Sequence, residues 1–418
     1  MVHNLKLRLP VRNQVEMSLS CLDDRVPADH RVRLVWAFVE RLDISPLLGR
    51  LKTFKGVRGG PATDPRILLA LWLFATLDGV GSAREIDRLC ERDDAYRWIA
   101  GGVGVNYHTL ADFRASAGPF LDEVLTKSVA ALVKVGIADV SCVAVDSLRV
   151  KASAGSASFR RQPTLTQLEA LARRKVEQLK AEPAAESARR RKAQERAARE
   201  RCERVSAALE AVAQIEAARA AEDEAKRRKT PKKRNAPRAS TTDPQARIMR
   251  LGDGGFRPAY NLQIKTDPQA GVIVGVSVGT NASDRGLLKA AADEIERRHG
   301  RRPDALLADE GYDGRKDIEA VEAGGTAVHT PLPKEASAAQ VGPKDTPGVR
   351  EWKTRMATDE GKAVYSRRIN TEHAHAQMRN HGLLQMPVRG LAKVTSIALL
   401  FAVATNLVLH GSHLLAAM

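Results

Sequence analysis

The chain has 418 residues and carries 67 Lys+Arg against 50 Asp+Glu, a formal charge of +17. This length suits two or three domains, and a hydrophobic content of 43% excludes wholesale disorder, while an aromatic content of 4% argues against a recognition surface built mainly on base stacking. The surplus of cations points to a polyanionic partner, nucleic acid first and an anionic membrane second, with a generally basic but neutral surface as the plain alternative.

Cys21, Cys90, Cys142 and Cys202 are scattered without CxxC spacing. That excludes a zinc ribbon or finger and a disulfide framework, and suits reduced thiols in a cytosolic protein. The opening MVHNLKLRLPVRNQVEMSL lacks the apolar run of a signal peptide. Residues 29–134 read as helical. Asp64 and Pro65 open a helix over RILLALWLFATL, which Gly79 and Gly81 stop. Residues 82–90 (SAREIDRLC) predict a second short helix, and residues 106–115 (NYHTLADFRA) a third after a GGVG turn. Helix, short turn and a last helix opened by polar residues form the outline of a helix-turn-helix. Tyr107, His108 and Arg114 are its candidate DNA contacts within a helical domain over residues 1–135.

Residues 139–145 (DVSCVAV) predict a short strand that stops at Asp146, in a first piece, residues 136–160, of a mixed core. Residues 161–250 hold 24 Lys+Arg against 13 Asp+Glu, so about two-thirds of the net charge falls in about a fifth of the chain. Within them, residues 164–225 are rich in Ala, Glu, Lys, Arg, Leu and Gln, with one proline (Pro183) and no glycine, which predicts long polar helices. A sparse stripe of Leu168, Leu171, Val176 and Leu179, then Val205, Leu209, Val212 and Ile215, fits a helical hairpin. It ends in KRRKTPKKRNAPRAS (residues 226–240), expected to be a flexible linker. The coincidence of charge and seam predicts an insertion that binds DNA phosphates or pairs subunits.

In residues 251–418, AYNLQIK (259–265) and VIVGVSV (272–278) predict a hairpin, residues 285–298 an amphipathic helix, and 305–308 a strand ending at Asp309. A helix over 317–323, a strand over 326–330 and a helix running from Glu360 past Arg379 follow. SIALLFAVATNLVLH (396–410), broken by Thr405 and Asn406, reads as a buried core helix, short of the ~20 residues a bilayer requires. The order of elements indicates an α+β or α/β core interrupted by the hairpin.

Three acids sit at the ends of, or within, core elements: Asp146, Asp309 and Glu372. Carboxylates so placed can converge on Mg²⁺, and two such ions ~3.5–4 Å apart serve phosphodiester displacement; singly, each is an ordinary turn or helix residue. On one continuous helix at ~100° per residue, Tyr365, Arg368, Glu372 and Arg379 fall within a strip ~60° wide. Such a strip sets a carboxylate among cations and a phenol suited to a DNA phosphate, or forms a solvated salt-bridging face. Of the other signals, His373 and His375 read as DNA-facing or solvated, and Asn281 and Asp284 as groups behind the acids or, for Ser283 and Asp284, as a helix cap. No Walker loop or Rossmann fingerprint occurs.

The pattern Tyr365-x₂-Arg368-x₃-Glu372-x₆-Arg379 resembles the Y-R-E-K signature of DDE transposases of bacterial insertion sequences, with arginine in the lysine position. VAVDSLRVKAS (143–153) is similar to that family's first-acid segment, departing at Ser147 and Arg149, and ADEGYDG (308–314) to its second. DPQARIM (243–249), GGFRPAYNLQ (254–263) and the N-terminal helical block extend the likeness over nearly the whole chain outside the hairpin. The resemblance implies an RNase H-like mixed sheet with flanking helices, after an all-α N-terminal domain. Asp146, Asp309 and Glu372 would bind two Mg²⁺ or Mn²⁺ ions, and Tyr365, Arg368, Arg379 and Lys151 would contact DNA. Glu310 and Asp313 flank Asp309, whose strand-end place favours it. The expected activity is cleavage at terminal inverted repeats and strand transfer to target DNA, by a homodimer or larger synaptic complex associated with the bacterial nucleoid and no membrane. The alternative is a catalytically silent, transposase-derived DNA-binding or regulatory protein.

Overall fold

The computed structural model describes residues 19–51, 60–181, 188–225, 234–335 and 339–418. The expectation for residues 1–19 falls, save for its last residue, outside them, as does most of the charged linker (226–233).

Seven helices precede the first strand among the described residues: α1 (Arg31–Arg41), α2 (Ser45–Leu48), α3 (Pro65–Leu77), α4 (Ala83–Arg92), α5 (Asp94–Ala100), α6 (Tyr107–Ser116) and α7 (Gly118–Lys134). Local capping sets several starts. The Asp64 carboxylate accepts from the Arg66 amide at 2.8 Å, Ser82 from Glu85, and Asn106 from His108 at 2.7 Å. Every residue of α3 but Arg66 is buried, as an all-round apolar helix requires. Helix α5, capped by Asp93, falls within the stretch expected to be helical but was not set apart there.

The sheet contains β1 (Cys142–Lys151), β4 (Arg247–Arg250), β5 (Phe256–Thr266), β6 (Ile273–Gly279), β7 (Ala305–Ala308) and β8 (Ala327–His329). Its order is β4-β5-β1-β7-β8, with β6 also on β5. Strand β1 is antiparallel to β5 and parallel to β7, which is parallel to β8. The chain is thus of mixed α/β class. Strand β1 does not stop at Asp146 as expected: it continues to Lys151 because β5 supplies a ladder as far as Lys151↔Ala259, burying Leu148 and Val150. Helices α10 (Leu288–His299), α11 (Arg315–Glu322), α12 (Pro347–Ala357), α13 (Asp359–Ser366), α14 (Ile369–Asn380) and α15 (Leu391–Ala417) complete this part.

The insertion is a helical hairpin of α8 (Gln162–Ala181) and α9 (Ala188–Ala225). Its seam keeps Leu179, Val205 and Val212 of the expected stripe but replaces others. Leu171 is 57% exposed, and the buried residues are Leu165, Ala172 and Leu179 facing Val205, Ala208, Ala211 and Val212. Leu165, Ala172 and Leu179 recur every seventh residue, the period at which one helix keeps a single row against another. A two-stranded ribbon, β2 (Phe159–Arg160) with β3 (Ala239–Ser240), closes the base of the excursion.

One buried cluster joins α1, α3 and α7 to β1, β5, β6, β7 and α15. Helix α15 is longer than the sequence reading allowed, and is long and apolar enough to cross a membrane by length and composition. It packs against α7, β6 and α3. Asn406, which interrupts its apolar run, accepts from the Ile273 amide and donates to its carbonyl, both at 2.8 Å.

A buried ionic network fastens α7 to the sheet. Lys265 of β5, 1% exposed, pairs with Glu294 of α10; Arg298 donates to Glu294 at 2.9 Å and pairs with Asp122 of α7. Burial alone would raise the Glu294 pKa, but Lys265 and Arg298 hold it down at about 2. Glu294→Ala leaves buried Lys265 without a carboxylate and Arg298 with Asp122 alone, and is expected to cost ~3–5 kcal/mol in urea unfolding at pH 7. Because the folded-state pKa is depressed, this stabilisation is complete above the ordinary value of 4.5 and fades as pH falls towards 2. The difference between wild type and variant should shrink over that window.

Candidate active site

The parallel pairing of β1 with β7 ends at Val145↔Ala308, so Asp146 and Asp309 are the next residues on two adjoining strands. The same local bond orients both carboxylates. The Ser147 amide donates to Asp146 Oδ1 at 2.7 Å and the Glu310 amide to Asp309 Oδ1 at 2.7 Å. Glu310 and Asp313, the neighbours that complicated the assignment, are engaged elsewhere. Glu310 lies 3.7 Å from Lys334, and Arg285 holds Asp313 through both carboxylate oxygens at 2.6 and 2.7 Å.

Burial raises the Asp146 pKa; Arg368 opposes this, while Asp309 and Asp284 push it further up. Arg368 Nη2 lies 3.1 Å from Asp146 Oδ2, its Nη1 lies 3.4 Å from the Tyr365 hydroxyl, and its guanidinium stands 5.7 Å from the Tyr365 ring centre. Burial alone would lower the Arg368 pKa, but the charges of Asp146, Tyr365 and Asp309 raise it. His375 Nδ1 is 3.8 Å from the same Asp146 oxygen. Burial, with Arg379 and Arg368, pushes its imidazole down to about 4, so it is neutral at pH 7.

The expected single late helix is two helices. Arg367 and Arg368 separate α13 from α14 in a tightened turn, with the Arg367 amide bonded to Val364 O and the Arg368 amide to Tyr365 O. Each helix is anchored separately. Gly361 of α13 lies so close to the Arg355 carbonyl that a Cβ there would clash, and Thr371 of α14 bonds Thr266 of β5 at 2.9 Å. The four-residue strip therefore spans a break. Arg368 is half-buried against Asp146 and Tyr365 half-buried beside Arg368, whereas Glu372 and Arg379 are exposed on α14. Glu372 lies one turn from both Arg368 and His375. Among the described residues no three His, Cys, Asp or Glu side chains form a ready-made metal cluster.

His375, read from sequence as solvated or DNA-facing, has a side chain only 11% exposed and faces the first acid. Its i+7 spacing from Arg368 was the available signal. Asp284 is not a side-chain cap: its carboxylate enters the sheet, while its carbonyl accepts the Leu287 amide. The remaining candidates lie apart. Lys151 is exposed at the end of β1. Tyr107 stacks beside exposed His108 with ring centres 4.0 Å apart, and Arg84 lies over Tyr107 at 5.1 Å. Arg114 stacks on Trp72 at 4.3 Å and donates to the Gly81 carbonyl at 2.6 Å; burial lowers its pKa to about 10.

Residues 226–407 match the family model described as Transposase DDE domain, and residues 20–116 that described as Transposase domain (DUF772). The chain belongs to the DDE-type transposases of the insertion-sequence type. In this transposase the first match begins beyond the helical hairpin, so it contains Asp309 and Glu372 but not Asp146. No curated protein and no solved structure matches the chain. DDE transposases generally use divalent metal ions, and the residues fit a hard cation. Two oxygen donors sit on adjoining strands, each tied back through Oδ1, and the Oδ2 atom of Asp146 is turned towards a positive group.

Proposed function

We propose that this transposase binds the terminal inverted repeats of its insertion sequence and catalyses metal-dependent strand cleavage followed by strand transfer, on an RNase H-like catalytic domain. The carrying observation is the placement of Asp146 and Asp309 on adjoining parallel strands, with Arg368 and Tyr365 beside them. In this reading Asp146, Asp309 and Glu372 hold two ions, Glu372 reaching in from the exposed side of α14. Bound there, Mg²⁺ or Mn²⁺ supplies Lewis-acid polarisation of the scissile phosphate and lowers the pKa of the attacking water. Arg368, Tyr365, Arg379 and Lys151 contact the DNA backbone. Neutral His375 fills the space beside Asp146 and restricts water there. Tyr107 and His108 open α6 towards DNA, and Arg114 braces that helix through Trp72. The basic insertion holds DNA phosphates or pairs subunits into a synaptic dimer or larger assembly.

The test is incubation of the full chain with Mg²⁺ and duplexes carrying the inverted repeats that border its gene. Nicks leaving a 3′-hydroxyl at the element's end, absent with EDTA, are expected. Binding without cleavage would overturn the proposal in favour of a silent DNA-binding protein.

A further inference from the structure

Resting on that reading of the site, we infer that Asp284 is a positioning residue that holds the two acid-bearing segments in register from the opposite face of the sheet. The Asp284 side chain is buried and accepts four hydrogen bonds. Asn261 Nδ2 and Gln263 Nε2 donate to Oδ1 at 2.7 and 3.0 Å; Ser147 Oγ and Arg149 Nη2 donate to Oδ2 at 3.0 and 3.1 Å.

Two of these bonds lead to the acids. Ser147 is the residue whose amide orients the Asp146 carboxylate, so a fixed Ser147 hydroxyl fixes that amide. Gln263 accepts from the Tyr312 hydroxyl at 2.5 Å, and Tyr312 follows Asp309 by three residues in the turn that leaves β7. Asp284 and Gln263 thus link the residue after Asp146 to the turn after Asp309. Alternation along β1 puts Ser147 and Arg149 on the face opposite Asp146, so Asp284 does not contact the reacting groups; it acts on them through the backbone and, more weakly, through its charge, which pushes the Asp146 pKa up. A carboxylate suits this place because it is acceptor-only and all four incoming groups are donors, whereas an asparagine would set its own N–H groups against two of them.

Partners behind a metal-binding group typically set affinity by ~10–100-fold. The test is Mn²⁺ binding by the full chain without DNA, followed by electron paramagnetic resonance, with melting temperature measured alongside. Asp284→Asn should weaken Mn²⁺ binding by ~10-fold or more. Ser147→Ala, which removes only the hydroxyl link, should give a smaller weakening in the same direction. Arg149→Met, which removes an ion pair not leading to either acid, should lower the melting temperature and leave Mn²⁺ affinity unchanged. A folded Asp284→Asn protein with wild-type affinity overturns the inference. Should that variant not fold, unchanged affinity in Ser147→Ala overturns it instead. Asp146→Ala separates the two levels: if it binds Mn²⁺ like wild type, the reading of the site fails and the inference with it.

Discussion

Asp146→Ala and Asp309→Ala should each lower the rate of strand nicking by at least ~10³-fold, equivalent to ~4 kcal/mol of barrier, while leaving the affinity for end DNA within a few-fold of wild type. The two acids occupy equivalent places on adjoining strands, each with one oxygen bound by the following amide. Loss of either leaves one carboxylate where the chemistry needs a shared pair, and a neighbour cannot substitute: Asp313 is held by Arg285, and Asp284 already accepts four bonds. Glu372→Ala should behave alike, with more of its effect visible as a higher Mg²⁺ requirement, because on the proposed reading its exposed side chain would join the others from a separate helix. Gel-resolved nicking across a Mg²⁺ series, beside gel-shift affinity, measures both quantities. Wild-type nicking by any of the three would remove that residue from the assignment.

Arg368→Gln should change two properties in opposite directions. The guanidinium lies 3.1 Å from Asp146, with Asp309 also acting on its charge, so it neutralises the acids in the metal-free chain. Removing a competing cation is worth at least ~1.4 kcal/mol, the value for full water screening at this distance, so Mn²⁺ should bind at least ~10-fold more tightly. Nicking should nevertheless fall by ~10²-fold, because a charged donor to the phosphate is lost. Calorimetric Mn²⁺ titration and nicking assays give the two numbers. Unchanged Mn²⁺ affinity would mean that Arg368 serves the DNA alone.

Where local chemistry decides structure, the sequence was readable. Asp64, Ser82 and Asn106 announced helix starts because a capping side chain bonds an amide two or three residues away. Strand β7 and its closing Asp309 were readable from a short apolar run. Features set by distant partners were hidden. Residues 146–151 stay extended because β5, over 100 residues away, supplies the ladder. The break at Arg367–Arg368 has no proline or glycine to mark it, and the helix beyond it is tied through Thr371 to Thr266 of the distant strand β5. In the site, the acids and Arg368 were visible through motif spacing, whereas the burial of His375 and the four donors around Asp284 appear only once the sheet is assembled.

The ribbon of Phe159–Arg160 with Ala239–Ser240 brings the start and end of the insertion side by side. A detour entered and left at one point adds length without moving the strands on either side, and each doubling of such a loop costs only ~0.6 kcal/mol of closure entropy. The hairpin is therefore a graft on a fixed stem, free to lengthen, shorten or be exchanged between elements while Asp146 and Asp309 keep their register. Sequence change in the hairpin is thereby decoupled from the strands that carry the acids.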